Sequence, residues 1–503
     1  MRILWIDDEI DMFRPFVYAL KDKGYEVETA TNGPDGIELA KARDFDLVLL
    51  DEIMTGMDGL EVLRRLKQID NNLLVAMVTK SDQEALINEA FGKLVDDFVI
   101  KPFTPVQLLA VIKRLLEKQK LVSSRIAPEY MAAMNEPREL DSWKDWVAYY
   151  RLLGNWQRLL GRYGDAGLQE VEADRRREAD VGFERFVERE YRSWLEGKGP
   201  TLSHQVVERF VRPHWSGPNT YLLLLDSMRA DQWEAIVPLL QDYFDITTDS
   251  YCSILPTATP YSRNAIFSGL LPLDIQRRYP KYWVTEDTGQ NRFEPELLAE
   301  QLRRMKFDGR HLFIKVARGD ELEGVRASLL DKNVRFAAVV INFLDLLIHS
   351  IKTTRLLDEI VPDDAALVGL TRVWFASSPV FEFIKTLARR DCTIIVTSDH
   401  GFIRVKRPTL IYGSREISAN LRYKHGAAIR VEGRDAVLLD RPETYMLPAG
   451  VLGMKYAIAK DDYYFIYPTK PREYEKAYKY TFQHGGISLE EMVVPIATLK
   501  PRK

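Results

Sequence analysis

The sequence predicts a multidomain α/β protein: a doubly wound five-stranded parallel sheet, then a helical bundle, then a second and larger α/β domain. Three observations predict it. Residues 1–118 alternate short apolar runs with amphipathic segments. Residues 119–205 show no strand pattern, only aromatics at helical spacing and dense charge. From 206 to 503 the strand, loop and helix signals return. A chain of 503 residues, 46% of them hydrophobic, can give each of three domains its own core.

In the first segment the apolar runs lie at 3–6, 27–29, 47–50, 74–78 and 97–100. Between them, helical spacing runs over about 10–20, 33–43, 59–69, 82–91 and 105–118. Five strands alternating with five helices imply a parallel sheet. In the second segment Trp143, Trp146, Tyr149, Tyr150, Leu153, Trp156 and Leu160 fall on helical spacing and read as the packed core of about three helices. The run Asp174-Arg175-Arg176-Arg177-Glu178 interleaves both signs and reads as a solvated helix face. In the third segment strands are expected at 221–225, 339–343 and 393–397. The interval 402–480 is irregular, with short strands near 409–412, 436–439 and 463–467.

Composition narrows the function. The net charge of −4 provides no global positive field, and no basic recognition helix follows the first domain, which argues against a DNA-binding activator. Only Cys252 and Cys392 occur, so no disulfide framework is expected and each reads as a small buried hydrophobe. The N-terminus meets charge too early for a signal peptide, and no apolar run approaches the ~20 residues that cross a bilayer. A soluble, cytoplasmic protein without membrane insertion is the expectation.

In a parallel sheet, polar groups gather at the carboxyl ends of the strands. Strand one runs into Asp7-Asp8, strand three ends at Asp51, strand four at Thr79, and strand five near Lys101. A carboxylate can act as nucleophile toward phosphorus. Neighbouring carboxylates can hold Mg²⁺, which favours hard oxygen ligands. A lysine can pair with phosphoryl oxygens, and a hydroxyl can bond the new phosphate. Here the chain resembles the CheY-like receiver family. The resemblance covers 1–118 and rests on Asp7-Asp8, Leu49-Leu50-Asp51-x-x-Met54, Met57-Asp58-Gly59, Thr79 and Lys101-Pro102-Phe103. It implies Mg²⁺ at Asp7, Asp8 and Asp51, phosphorylation of Asp51 by a sensor histidine kinase, and Thr79, Lys101 and Phe98 as switch residues. Two positions depart from the family: Thr55-Gly56 stands where a proline is usual, and Phe98 lacks a tyrosine hydroxyl. Neither is expected to touch the phosphorylation chemistry.

The third segment repeats the device. Strand 221–225 ends at Asp226-Ser227-Met228-Arg229, and Thr257-Ala258-Thr259-Pro260 opens a helix. Strand 339–343 leads to Asp345 and His349, strand 393–397 to Asp399-His400-Gly401, and His484-Gly485-Gly486 precedes the final apolar run. Pro260 at the first helical position makes Thr259 the expected N-cap. Three of the seven histidines fall in these motifs. His nitrogen and carboxylate oxygen together suit Zn²⁺, and two such ions could act on a phosphoryl group. His425 is an outside candidate for substrate contact.

The order and spacing resemble the alkaline phosphatase superfamily, most closely its PglZ branch with Asp-x-x-Arg after the first strand, over about 206–503. The resemblance implies one zinc at Asp226, Thr259, Asp399 and His400 and another at Asp345, His349 and His484. It implies Thr259 as nucleophile, since Gly269 follows at the family's offset, with Thr257 as fallback. Arg263 and Asn264 are loosely matched candidates for substrate binding. Receiver (1–118), helical bundle (119–205) and PglZ domain (206–503) together resemble the PorX response regulators of Bacteroidota. That resemblance implies a zinc-dependent phosphodiesterase effector acting on nucleotide or oligonucleotide substrates, a link to type IX secretion, and a homodimer formed on phosphorylation. The alternative is a non-catalytic effector that binds a sigma factor or secretion component, zinc being structural.

Overall fold

The structure is a computed structural model describing residues 1–503 apart from 70–72, 81–94, 164–165, 285–288, 318, 352–356, 358–359, 362, 414–419, 451, 470 and 503. The helix expected at 82–91 lies outside the described residues. The chain divides into two compact units: Met1–Arg138 with Asn155–Glu172, and Glu139–Gly154 with Ala173–Lys503.

The first unit holds strands β1 (Arg2–Ile6), β2 (Glu26–Ala30), β3 (Leu47–Asp51), β4 (Leu74–Thr79) and β5 (Asp97–Ile100). All pair in parallel, in the order β2-β1-β3-β4-β5. Alternate residues of each strand feed opposite faces, as the pleat requires. Ile3, Trp5, Leu47 and Leu49 pack with Val17, Leu20, Leu108 and Ile112. Leu4, Ile6, Val48 and Leu50 pack with Ile37, Val62, Leu63 and Leu66. Helices therefore cover both faces of the sheet, the doubly wound arrangement that the sequence predicted.

The last helix of this unit opens with a capping box. Thr104 accepts from the Gln107 N–H, the Gln107 side chain accepts from the Thr104 N–H, and Pro105 follows the cap. It then runs unbroken over Pro105–Asn135. The expected boundary at 118 thus falls inside one helix, because no capping residue or glycine interrupts the chain there. Two more helices, Trp143–Tyr163 and Ala166–Leu195, complete the expected three.

The second unit is built on a six-stranded sheet. Its strands are β6 (Asn219–Leu225), β7 (Phe244–Cys252), β8 (Arg310–Val316), β9 (Val334–Ile341) and β10 (Cys392–Thr397), with β19 (Val493–Pro501) from the end of the chain. The order is β7-β19-β10-β6-β9-β8. Strands β10, β6, β9 and β8 are parallel, while β19 runs antiparallel to both neighbours. Leu223, Leu225, Val339 and Ile394 share one core with Trp233, Phe383 and Leu387. Leu222, Leu224, Val340 and Ile395 share the other with Ile266, Phe267 and Leu298.

The irregular interval carries short strands β11 (Ile403–Arg404), β12 (Arg407–Tyr412), β13 (Tyr423–Ala427), β14 (Arg430–Val431), β15 (Ala436–Leu439), β16 (Met454–Ala459), β17 (Tyr463–Ile466) and β18 (Phe482–Gln483). The three short strands expected there coincide with β12, β15 and β17. Among the described residues no single helix is long and apolar enough to cross a membrane. The bent pair Asp364–Ser377 and Pro379–Leu387 passes by length and composition, but its Phe375, Val380, Phe383 and Ile384 lie in the sheet's core. Both cysteines are free and buried.

Residues 173–195 of the helix Ala166–Leu195 belong to the second unit. Phe183, Phe186 and Trp194 pack edge-on or tilted against Trp143 and Trp146, so these aromatics are core as expected. The same helix buries Glu184, and burial, then the nearby Asp461 charge, lifts its carboxyl to about 8. A carboxyl held above its ordinary 4.5 supports the folded state at low pH, and that support drains away as pH rises from about 4.5 to 8. Wild type is expected to lose melting temperature across this range, and Glu184→Gln, neutral throughout, to give a flatter profile. Parallel profiles of melting temperature against pH would contradict this.

Candidate functional site

Two centres form where strands end. In the first unit β1 and β3 are neighbours, and the chain order reverses between them, which opens a crevice at their carboxyl ends. Asp7 leaves β1 fully buried, and Asp51 ends β3 at 6% exposure. The Lys101 ammonium donates to Asp7 Oδ2 at 3.0 Å and Asp51 Oδ1 at 2.9 Å. Burial raises the Asp51 carboxyl, opposed by its hydrogen bond from Lys101. Burial would lower Lys101, but its bonds to Asp51 and Asp7 outweigh that and keep it cationic. Asp7, Asp8 and Asp51 present ligand atoms within 4.8 Å of one another, a set of oxygens suited to Mg²⁺.

Three details refine the expectation. The Thr79 hydroxyl donates to Glu52. Phe98 sits on β5 opposite Met77, partly buried against the core. Thr55, which the sequence reading set apart from the site, bonds one of its carboxylates. Its N–H (2.8 Å) and hydroxyl (2.6 Å) both donate to Asp8 Oδ2 and hold that carboxyl below its usual range. A proline there would offer neither donor.

In the second unit the adjacent strands β10, β6 and β9 deliver Asp399-His400, Asp226 and Asp345 to one edge. His349 follows Asp345 by four residues on the helix Phe343–Ser350, which puts both on one face. Its Nε2 lies 3.4 Å from Asp345 Oδ1, and His484 Nε2 lies 3.8 Å from the same oxygen. The His400 and His484 rings stack at 4.3 Å. Two sets emerge, Asp226–Asp399–His400 and Asp345–His349–His484, each with ligand atoms within 4.8 Å. They are the two sets that the sequence proposed, with Thr259 Oγ1 3.0 Å from His400 Nε2.

The donors fit divalent cations. Among the described residues Asp226 Oδ1 and Asp399 Oδ2 are buried with no hydrogen-bond partner, which leaves two carboxylate oxygens open for an ion. His400 Nδ1 lies 2.9 Å from the Gly401 carbonyl, which can only accept, and the opposite nitrogen, Nε2, faces Thr259. Burial, then the Asp399 and Asp345 charges, raises Asp226 despite Arg263 beside it. Asp345 is held far below the carboxylate range: burial opposes this, but the His349 hydrogen bond and the histidine charges prevail. Asp345 in turn raises His349, while burial and the other two histidines push His484 down.

The backbone is shaped for this edge. Gly401 must be glycine, since a Cβ would meet the Glu490 carbonyl oxygen at 1.9 Å. Gly485, beside His484, has φ +120° and passes against the Tyr423 ring. Gly269 ends the Thr259 helix in the left-handed conformation.

The structure corrects three sequence expectations. Thr259 is the first residue of the helix Thr259–Ser268, not its cap: Ala258 is the cap and no side chain bonds there. The Thr259 hydroxyl is therefore not consumed by capping. Arg263 is 2% exposed and bonds Asp226 and Glu294, and Asn264 donates to the carbonyls of Pro260 and Gln290. Both serve the protein's own groups rather than facing a phosphate, because the helix face that carries them is packed inward. The fallback Thr257 donates to the Gly486 carbonyl at 2.7 Å. His425, on β13, stacks between Tyr423 and Tyr456.

Sequence reading missed Ser227 and the pair Arg422–Glu491. Ser227 adopts φ +64° and donates to Asp345 Oδ1 at 3.0 Å. Arg422 and Glu491, both fully buried, form a two-point ion pair at 3.1 and 2.6 Å. Glu491 also accepts from the Gly486 N–H and the Ser488 hydroxyl, both at 2.8 Å, and so fixes the turn after His484. Ser227 sits inside the Asp-x-x-Arg motif, which was its only signal. The ion pair, 69 residues apart, had none.

A family model described as the BREX system PglZ alkaline phosphatase-like domain matches residues 206–499, more than half of the chain. The chain belongs to the PglZ family. Ahead of the PglZ domain, a response regulator receiver domain matches 3–113 and a PorX response regulator linker domain matches 118–195. This order gives the PglZ protein a PorX-like architecture. An alkaline phosphatase-like domain places it in a phosphoesterase superfamily.

Among curated proteins the chain is 32% identical over 122 residues to the transcriptional regulatory protein ResD of Bacillus subtilis, covering 24% of this chain and 50% of that one. It is 31% identical over 119 residues to the response regulator ArlR of Staphylococcus aureus, covering 24% and 53%. The chain thus spans about half the length of the curated relatives it matches. Among solved structures, the chemotaxis protein CheY4 of Vibrio cholerae is 29% identical, with 23% of this chain and 98% of that chain covered and a TM-score of 0.21. The response regulator TrrA of Thermotoga maritima, solved with Mg(2+)-BeF, is 30% identical with the same coverages and TM-score.

Proposed function

We propose that this protein is a response regulator in which Mg²⁺-dependent phosphorylation of Asp51 governs a zinc-dependent phosphodiesterase. The substrates are of the nucleotide or oligonucleotide class, in a pathway serving type IX secretion. Dimerisation on phosphorylation is part of the same reading. One observation carries the catalytic half: a threonine hydroxyl at a helix start, not used for capping, 3.0 Å from Nε2 of His400, beside two His-and-carboxylate sets.

Zn²⁺ at the two sets would supply Lewis-acid polarisation of the phosphoryl oxygens. Asp226, Asp399 and His400 would hold one ion with Thr259, and Asp345, His349 and His484 the other. The chain's own groups do the rest. Thr259 gives its hydroxyl proton to solvent, and its Oγ1 bonds phosphorus as the bond to the leaving oxygen breaks; that oxygen takes a proton from water and departs as the alcohol, which leaves a phospho-threonine ester. Water then cleaves that ester and restores Thr259. Ser227 keeps the Asp345 carboxylate oriented, and Arg263 does the same for Asp226.

The test is hydrolysis of a chromogenic phosphodiester and the matching monoester, before chelation, after it, and after zinc is restored. Diester turnover is expected to vanish on chelation and return with zinc, and to exceed monoester turnover. Zinc binding without turnover of either ester would leave the domain a non-catalytic binding effector.

A further inference from the structure

We propose that the linker helix is a positioning strut for the proposed catalytic site, with Tyr191 holding the segment that carries Thr259 and Asp180 holding the segment that carries His484. This rests on the reading of the site just given, and it assigns roles to linker residues outside every motif.

Two hydrogen bonds, on different sides of the site, support it. Tyr191, 2% exposed, accepts from the Leu255 N–H at 2.7 Å. Leu255 stands four residues before Thr259, in the passage from β7 to the catalytic helix. Asp180, 4% exposed, accepts from the Leu489 N–H at 3.0 Å. Leu489 stands five residues after His484 and opens the short helix Leu489–Met492 that carries Glu491. Arg176, one helical turn earlier, adds an ion pair to Glu490 at 3.0 Å, with 15% and 10% of the two side chains exposed. The Thr257 hydroxyl then ties the two held segments together through the Gly486 carbonyl.

No element of the PglZ sheet supplies these two acceptors; both come from the linker helix. A buried N–H left without its acceptor is costly, so each segment is pinned while the helix stays in register. A reacting oxygen displaced by about 1 Å costs on the order of a hundredfold in rate. Small shifts of this helix therefore change catalysis without any contact to substrate.

The test uses the full-length protein and three variants: Tyr191→Phe, Asp180→Leu, and Asp180→Asn, which keeps an acceptor oxygen. Amide hydrogen exchange is the first readout. Tyr191→Phe is expected to speed exchange at Leu255 and leave Leu489 unchanged. Asp180→Leu should do the reverse, and Asp180→Asn should restore wild-type exchange. The second readout divides the same way. Tyr191→Phe should lower kcat at least fivefold with KM and zinc affinity unchanged. Asp180→Leu should weaken binding of the second zinc at least fivefold, with recovery in Asp180→Asn. Unchanged exchange at both amides, or loss of zinc affinity in Tyr191→Phe with none in Asp180→Leu, overturns the proposal. If wild type binds no zinc, the reading of the site fails, and the exchange pattern alone still decides whether the helix holds the two segments.

Discussion

Thr259→Ala is expected to lower phosphodiester turnover by at least about a thousandfold, while the circular dichroism spectrum and the melt stay those of wild type. Removing a nucleophile abolishes the covalent route, and the residual rate then comes from binding and electrostatics alone. The hydroxyl is open for this role because Ala258, not Thr259, caps the helix. The fold should survive, since among the described residues the hydroxyl bonds only the His400 ring. Zinc should still bind, because Asp226, Asp399 and His400 remain as one set. Thr259→Ser keeps an oxygen at the same place and is expected to stay within about tenfold of wild type. Steady-state kinetics with a chromogenic diester check both. A wild-type kcat in Thr259→Ala would remove this residue from the chemistry.

The second large effect is on stability. Glu491→Ala is expected to destabilise the second unit by about 3–5 kcal/mol, the usual cost of leaving one partner of a buried ion pair alone. Arg422 is fully buried, and its remaining bonds go to the carbonyls of Lys460 and Tyr463. Without Glu491 its charge would have no counter-ion in direct contact among the described residues. The Gly486 N–H and Ser488 hydroxyl would lose their acceptor as well. Replacing both partners by apolar residues, Arg422→Met with Glu491→Leu, should cost much less than the single change. Urea unfolding of the three proteins checks this, and equal midpoints for wild type and Glu491→Ala would contradict it. Because the turn precedes nothing catalytic but follows His484, zinc affinity should fall together with stability.

These two residues mark what was legible in the sequence. Asp7, Asp51, Asp226, Asp345, Asp399 and His400 each stand at or just after a buried strand, so strand position alone told where they gather. His349 was legible from its spacing of four after Asp345. Thr259 was legible as a helix start, but the cap was placed one residue late, because Pro260 is compatible with either first or second helical position. The linker boundary at 118 carries no break in secondary structure: the helix Pro105–Asn135 runs across it.

What stayed hidden depends on distance along the chain. Arg422 meets Glu491, Asp180 meets Leu489, and Tyr191 meets Leu255 only after the whole second unit has folded. A lone arginine or glutamate carries no mark of such a partner. The two inward residues Arg263 and Asn264 misled for the same cause. They lie one turn into the helix that Thr259 opens, where a phosphate contact is reasonable, yet tertiary packing turns them toward Asp226, Glu294 and two backbone carbonyls. Thr55 misled in the opposite sense, since a loop substitution that looked remote hydrogen-bonds Asp8.

The most direct measurement is the number of zinc ions bound per chain, by native mass spectrometry of wild type, His349→Ala and Asp399→Ala. Two ions in wild type and one in each variant is the predicted result. A wild-type chain that takes up no zinc, or variants that bind as many ions as wild type, would contradict it.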